Sequence, residues 1–210
     1  MVEDTMSGTE TRTAEADQKR ALIINQAARL FDERGYGNTN MTDIARAGGI
    51  AKPTLYHYFR SKDEILMQIH EEFVAILLSK HEERRQQNLS ARAELLELMA
   101  DVVTLLDTHR GHVRVFFEHA RELPAEEQRV IRRKRDQFRA NVIETLQRGI
   151  KNGEFTPTLD PKLAAWGIVG MVNWTYQWYV QDAKYSSREI AERFYTMVVN
   201  GIGVPDHREV

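Results

Sequence analysis

The sequence predicts an all-α protein of about nine helices, and three observations carry that expectation. Apolar residues recur at i, i+3 and i+4 spacing from Ile23 nearly to the C-terminus. No segment alternates apolar and polar residues with the period of a strand. The breaks fall at glycines, prolines and Ser-x-x-Glu patterns that start and stop helices.

Residues 1–17 are polar and acidic, lack periodicity and read as a disordered tail. Ile23, Ala27, Leu30 and Phe31 then form a helical stripe, with Asp17 available as a cap and Gly35 as a stop. A short helix over about 42–47 ends at Gly48-Gly49, and another covers roughly 52–59. Pro53 suits the first turn of the latter, where an amide hydrogen lacks a partner anyway. Ser61 and Glu64 form a capping box heading a long helix, whose stripe is Leu66, Ile69, Phe73, Ile76 and Leu77. Leu95, Met99, Val102 and Leu106 mark a further helix after Ser90, and Arg110-Gly111 separates it from 113–123. Pro124 starts a helix reaching about Asn152, with Phe138, Val142 and Leu146 on its buried side. After the turn at 153–161, two last helices cover about 161–180 and 187–200.

Composition narrows the function. With 42% hydrophobic and 29% charged residues, the 210-residue chain has the make-up of an ordinary globular protein. It has no cysteine, which excludes disulfides, Cys-zinc sites and a thiol nucleophile. Its start lacks the basic and apolar regions of a signal peptide. The longest apolar stretch, Leu163 to Val180, is interrupted by Asn173, Thr175 and Gln177, so a membrane span of about 18 apolar residues is not expected. The expected location is cytoplasmic. The net charge of −2 hides an asymmetry: residues 18–62 hold eight basic and three acidic residues, whereas both flanks are acidic. Such a basic block is a footprint for polyanion binding.

Within that block, residues 40–62 read NMTDIARAGGIAKPTLYHYFRSK. Two short helices meeting at a glycine turn have the geometry of a helix-turn-helix. Ile44, Ala45, Ile50, Leu55 and Phe59 are the expected inner core. Lys52, Pro53, Thr54, Tyr56, His57 and Tyr58 then lie on or beside the outward face. Lysine and tyrosine groups suit phosphates, which fix register, while Thr54, Tyr56 and His57 suit base edges and the thymine methyl. Thr42 adds a hydroxyl beside orphan amides at a helix start, and Lys62 stands at the next helix start.

Matches at Thr42, Ile44, Ala45, Ala47, Gly48, Thr54, Leu55, Tyr56, Tyr58, Phe59 and Lys62 make this segment resemble the TetR-family signature of bacterial transcriptional regulators. The resemblance covers about 45 residues and includes the preceding AARLFDERGYGNTN. It departs from the family pattern at Gly49, read as standing where valine is common, at Ala51 in place of a capping serine, and at Pro53 in place of glycine. The implied plan is a tail over 1–17, a DNA-binding domain over 18–62, and a helical effector-binding and dimerisation domain over 63–210. The implied function is a ligand-responsive regulator, a repressor by default. As a homodimer it binds double-stranded, pseudo-palindromic operator DNA and is released by a small apolar or acyl-CoA-like effector.

In the larger domain, Phe116, Phe117, Met171, Trp174 and Tyr176 are the expected lining of an effector cavity, with His119, Asn173 and Gln177 as polar contacts. The tail of the chain resembles lipid- and acyl-CoA-responsive members of the family, and Arg132 to Arg135 offer cations for a nucleotide-like phosphate. Gly167, Gly170, Ile190, Phe194, Met197 and Val198 are the expected dimer interface. Two rivals remain open: a helical enzyme or ligand carrier without DNA binding, and a structural adaptor. His109 and His112 have helical spacing, but Gly111 interrupts the stretch, and no metal-binding or nucleophile motif is present. No catalytic residue, metal or cofactor is expected.

Overall fold

Local signals fix most of the helix ends. A computed structural model describes residues 3–181 and 184–202. The first helix, α1 (Glu3–Arg34), buries Ile23, Ile24, Ala27, Leu30 and Phe31 on one face. It begins well before that packed segment, where the sequence predicted a tail over 1–17; residues 1 and 2 lie outside the described part. Once packed turns exist, further turns add one hydrogen bond per residue fixed, so propagation is cheaper than nucleation. Gly35 ends α1 at a φ of +82°, a conformation that suits glycine.

Asn40 caps α2 (Met41–Ala47): its side chain accepts from the Thr42 and Asp43 amides, and the Asp43 carboxylate accepts from the Asn40 amide. At the start of α3 (Lys52–Tyr58), Ala51 supplies no side-chain cap and Pro53 occupies the first turn. The turn between them corrects one assignment. Gly49, read as replacing a valine, has a φ of +62°, whereas Gly48 is right-handed at −80°. Valine at 49 would be strained, and half-buried Ile50 supplies the apolar residue of the turn.

The long α4 (Lys62–Arg85) starts at Ser61, whose hydroxyl accepts from the Glu64 amide at 3.1 Å. The returning bond lands one residue further upstream than a capping box predicts, from the Arg60 amide to the Glu64 carboxylate at 2.7 Å. There follow α5 (Ala91–Thr108), α6 (Arg110–Glu118), a 3-10 turn over Ala120–Glu122, α7 (Ala125–Lys151), α8 (Pro161–Asn173) and α9 (Ser187–Ile202). The described residues therefore contain nine α-helices, as the pattern predicts. However, α8 stops at Asn173 and not near Val180. A 3-10 turn over Trp174–Gln177 follows, turning buried Tyr179 onto α5, where its hydroxyl donates to Asp107 at 2.5 Å. Asp107 also accepts from the Ser187 hydroxyl at the head of α9.

The small domain is α1–α3 with the start of α4, packed around Phe31, Ile44, Leu55, Phe59 and Leu66. Leu55 and Phe59 are fully buried, an effect of about 1.5–3 kcal/mol per side chain. In the larger domain α5 lies at the centre, packed against α4, α6, α7, α8 and α9. Two helices join the domains. α4 runs through both, and α6 lies across α1 and α4, with Gly111 against the Ala28 backbone and Arg114 3.4 Å from the Asp32 carboxylate.

Candidate DNA-reading surface and effector chamber

The turn between α2 and α3 holds two short helices against the α1 core, so the residues not needed for packing face outward. Thr42, Lys52, Pro53 and His57 are exposed, and Tyr56 is 45% exposed. Thr54 is half-buried. Tyr58, expected on the outward face, is half-buried against the core and meets His57 edge-on at 5.4 Å. Thr42, Lys52, Tyr56 and Lys62 share a shallow depression of about 620 Å³ with Asn40, Asp43 and Arg46. Arg46 is exposed, lies 3.8 Å from the Asp43 carboxylate, and joins this surface although the sequence motif does not mark it.

Lys62 differs from the other cations. Its ammonium donates to the Tyr36 and Thr39 carbonyls at 3.0 and 3.2 Å and lies 4.2 Å from the Tyr36 ring centre. It ties the α1–α2 loop to the head of α4. Tyr36 in turn donates its hydroxyl to Asp63, and burial with that carboxylate pushes the phenol's pKa well above its usual value.

In the larger domain, a chamber of about 280 Å³ lies between α4, α6, α7 and α8. Phe73, Val74 and Leu77 of α4 form one wall, and Phe116 and Phe117 of α6 another. Phe138 closes the α7 side; Trp166, Val169, Gly170 and Asn173 close the α8 side. Phe116 meets Phe73 at 4.2 Å and the fully buried His70 at 5.1 Å. The chamber adjoins a larger recess of about 870 Å³, with which it shares Phe117, Arg135, Arg139 and Trp166. Arg121 and Arg132 also line this recess, against one carboxylate, Asp136. Burial and the neighbouring Arg139 pull the Arg135 pKa down to about 10.

Only part of the expected lining lies here. Phe116, Phe117 and Asn173 do. Trp174 is 62% exposed and Gln177 is exposed, because the 3-10 turn carries both away from the chamber. Tyr176 stacks on the Phe117 ring at 4.9 Å and buttresses it instead of lining the cavity. Met171 is half-buried outside the lining, and His119 lies 6.2 Å from Tyr36. Sequence reasoning missed Phe73, Arg139 and Trp166. A usable signal was present: Ile131, Arg135, Phe138 and Arg139 share one face of α7 at spacings of four, seven and eight.

The expected dimer residues divide as well. Gly167 and Gly170 are exposed, and neither is crowded by another helix; Gly170 also borders the chamber. Met197 is 63% exposed, and Phe194 and Val198 are half-buried. Ile190 is buried in the core of its own chain, because α9 turns that face onto α5. Leu163, Trp166 and Trp174 add exposed apolar surface on or just after α8.

His109 and His112 lie edge-on at 5.5 Å, and the His109 ring nitrogen pairs with the Thr108 hydroxyl. Among the described residues, no three His, Cys, Asp or Glu side chains are grouped to hold a metal. No helix there is long and apolar enough to cross a membrane.

A helix-turn-helix under a basic surface, joined through α4 to a helical chamber, defines a ligand-responsive transcriptional repressor. Family models agree at both ends: residues 23–69 match bacterial regulatory proteins of the tetR family, and residues 88–202 match the tetracyclin repressor-like C-terminal domain. The chain belongs to the tetR family. It is 28% identical over 188 residues to the HTH-type transcriptional repressor KstR2 of Rhodococcus jostii, covering 89% of this chain and 92% of that one. It is 26% identical to the fatty acid metabolism regulator protein of Bacillus subtilis, over 88% of this chain and 95% of the relative. Among solved structures it resembles AibR in complex with isovaleryl coenzyme A and operator DNA. That match has a TM-score of 0.75 and 25% identity, over 85% of this chain and 97% of AibR.

Proposed function

We propose that this regulator binds a pseudo-palindromic operator as a homodimer and is released by an acyl-CoA. One observation carries the effector class: an apolar chamber opens into a recess bearing four arginines and one carboxylate. An acyl chain suits the chamber, whose volume is at the lower end for ligand pockets. The phosphates of coenzyme A suit the guanidiniums of Arg121 and Arg132, since arginine matches phosphate geometry in paired bonds. The relatives support this class, one named for fatty acid metabolism and one solved with isovaleryl coenzyme A.

On DNA, Lys52 and Arg46 grip phosphates, Thr54, Tyr56 and His57 face base edges, and Thr42 meets a phosphate at the head of α2. Half-sites one helical turn apart, about 34–36 Å, suit a two-fold dimer. The exposed apolar stripe of α8 and α9 is its interface. Because α4 both walls the chamber and carries the reader, a ligand that prefers one α4 position shifts the affinity for operator. Such a protein works where the chromosome is, in the cytoplasm.

The test is calorimetric titration with octanoyl-CoA, coenzyme A and octanoate, paired with fluorescence anisotropy on DNA from upstream of the protein's own gene. Octanoyl-CoA is expected to bind most tightly and to release the DNA. Equal binding of octanoate, or DNA binding unaffected by octanoyl-CoA, refutes the effector class. DNA binding without sequence preference refutes the regulator itself.

A further inference from the structure

Arg135 has an unusual set of partners for a half-buried cation. Among the described residues no carboxylate pairs with it, and its Nε is buried without a hydrogen-bond partner. The guanidinium instead lies 4.1 Å over the Phe116 ring, and its Nη2 donates to the Phe116 carbonyl at 2.7 Å. Phe116 belongs to the last turn of α6, where main-chain carbonyls run out of amide partners. Arg135 therefore serves as a side-chain cap for that turn, a role cations often take at helix C-termini. Arg139, one turn further along α7, differs: its guanidinium lies 3.6 Å over Trp166, but its Nη1 donates to the Asp136 carboxylate at 2.7 Å.

We propose that Arg135 is a displaceable cap: an anionic oxygen of the effector at the chamber mouth takes its guanidinium, uncaps the last turn of α6 and frees Phe116. This rests on the effector site proposed above and names the residue that couples it to the reader. The exchange is favourable because a charge-assisted hydrogen bond replaces one to a neutral carbonyl. Its consequences run both ways along α6. Phe116 packs on His70 and Phe73 of α4, while Gly111 and Arg114, nearer the start of α6, pack on and pair with α1. A shift of α6 thus reaches both helices that carry the reader. Arg121 and Arg132 line the recess but not the chamber, and Arg139 stacks on Trp166 of α8; Arg135 is the cavity arginine bonded to the Phe116 carbonyl of α6.

The test is amide hydrogen exchange over residues 116–120, with operator release measured alongside, in the full-length protein. Arg135→Met is expected to speed exchange in this turn about tenfold or more, and octanoyl-CoA is expected to speed it similarly in the wild type. Octanoyl-CoA lowers the operator affinity of the wild type, whereas Arg135→Met, uncapped without ligand, should bind operator weakly from the start and change little at saturating octanoyl-CoA. Arg133→Gln, an exposed change on α7 outside both cavities, should release like the wild type. If Arg135→Met does not fold, Arg135→Lys replaces it; lysine cannot both stack and donate through a planar fork, so it should give partial uncapping and an intermediate ligand-free operator affinity. Unchanged exchange in both variants, slower exchange on ligand binding, or wild-type operator affinity in ligand-free Arg135→Met overturns the inference. Release of the wild type with the α6 turn unaffected sinks the cap alone and leaves the effector class standing. Failure of octanoyl-CoA, octanoate and coenzyme A to bind the wild type sinks both.

Discussion

Lys62 stands over Tyr36, its ammonium 4.2 Å from the ring centre and bonded to the Tyr36 and Thr39 carbonyls, at the joint between the first helix and the reader. Next to it in the same depression, Lys52 is exposed and free to reach a phosphate. Two lysines of similar sequence standing thus have different work. Lys52→Ala should lower the slope of log K against log salt by about 1.8, the contribution of one phosphate contact from each protomer of the dimer. Lys62→Met should leave that slope nearly unchanged while lowering stability by about 1–3 kcal/mol, through loss of a charged hydrogen-bonding group. Operator titrations across a salt series, with denaturant unfolding of each variant, check both; a lowered slope for Lys62→Met would return it to the phosphate contacts.

A second prediction concerns acid. His70 is fully buried, with no hydrogen-bond partner for either ring nitrogen among the described residues, and burial, with help from Arg135 and His119, drives its pKa down to about 3. His112 is held down to about 4 by burial and by His109. In the unfolded chain both titrate near 6.5. Between these values the unfolded state holds the extra protons, so stability falls as pH drops from about 7 towards 4. Each histidine contributes a slope approaching about 1.4 kcal/mol per pH unit. His70→Leu should therefore flatten the dependence of unfolding free energy on pH between 7 and 5 by up to that amount. An unchanged slope would mean that His70 is protonated in the folded protein.

Gly149 offers a steric prediction. A β-carbon there would run into the ring of fully buried Phe155 and lie 3.0 Å from the Ala91 side chain. Gly149 also accepts from the Glu154 and Phe155 amides, which fold the chain back after α7. Gly149→Ala forces the ring out of its seat, with a cost of about 1–3 kcal/mol for overpacking. That is a fall in melting temperature of several degrees for a protein of this size. Differential scanning calorimetry reads it directly, and a melting temperature at or above that of the wild type contradicts the packing described.

These features were unequally legible in the sequence. The helix-turn-helix could be read because its core is local: Ile44, Ala45, Leu55 and Phe59 lie within sixteen residues, and all four are buried. The chamber could not, because Phe73, Phe116, Phe138 and Trp166 come from four different helices. Aromatic density around residues 174–178 was a misleading guide, since the 3-10 turn there turns Trp174 outward and Tyr176 behind Phe117. Ile190 was misplaced for a related reason. On a helix with both a core face and a partner face, hydrophobicity alone does not say which neighbour covers which residue.

That division of α9 yields the last prediction. Leu163 and Met197 are apolar, largely exposed and on the two helices proposed for the interface, whereas Ile190 is buried against α5. A surface of this kind, with Trp166 and the open glycines 167 and 170 beside it, is unfavourable in water unless covered. Leu163→Glu combined with Met197→Glu should give a folded monomer, because neither side chain contributes to the buried core of its own chain. Its operator affinity should fall by about 100-fold or more, the loss expected when two linked half-site contacts become independent. Ile190→Ala should do the opposite, lowering stability by about 2–5 kcal/mol while leaving a dimer. Sedimentation velocity with denaturant unfolding separates the two effects. A dimeric Leu163→Glu/Met197→Glu protein, or an Ile190→Ala protein that dissociates without losing stability, would move the interface away from the α8–α9 stripe.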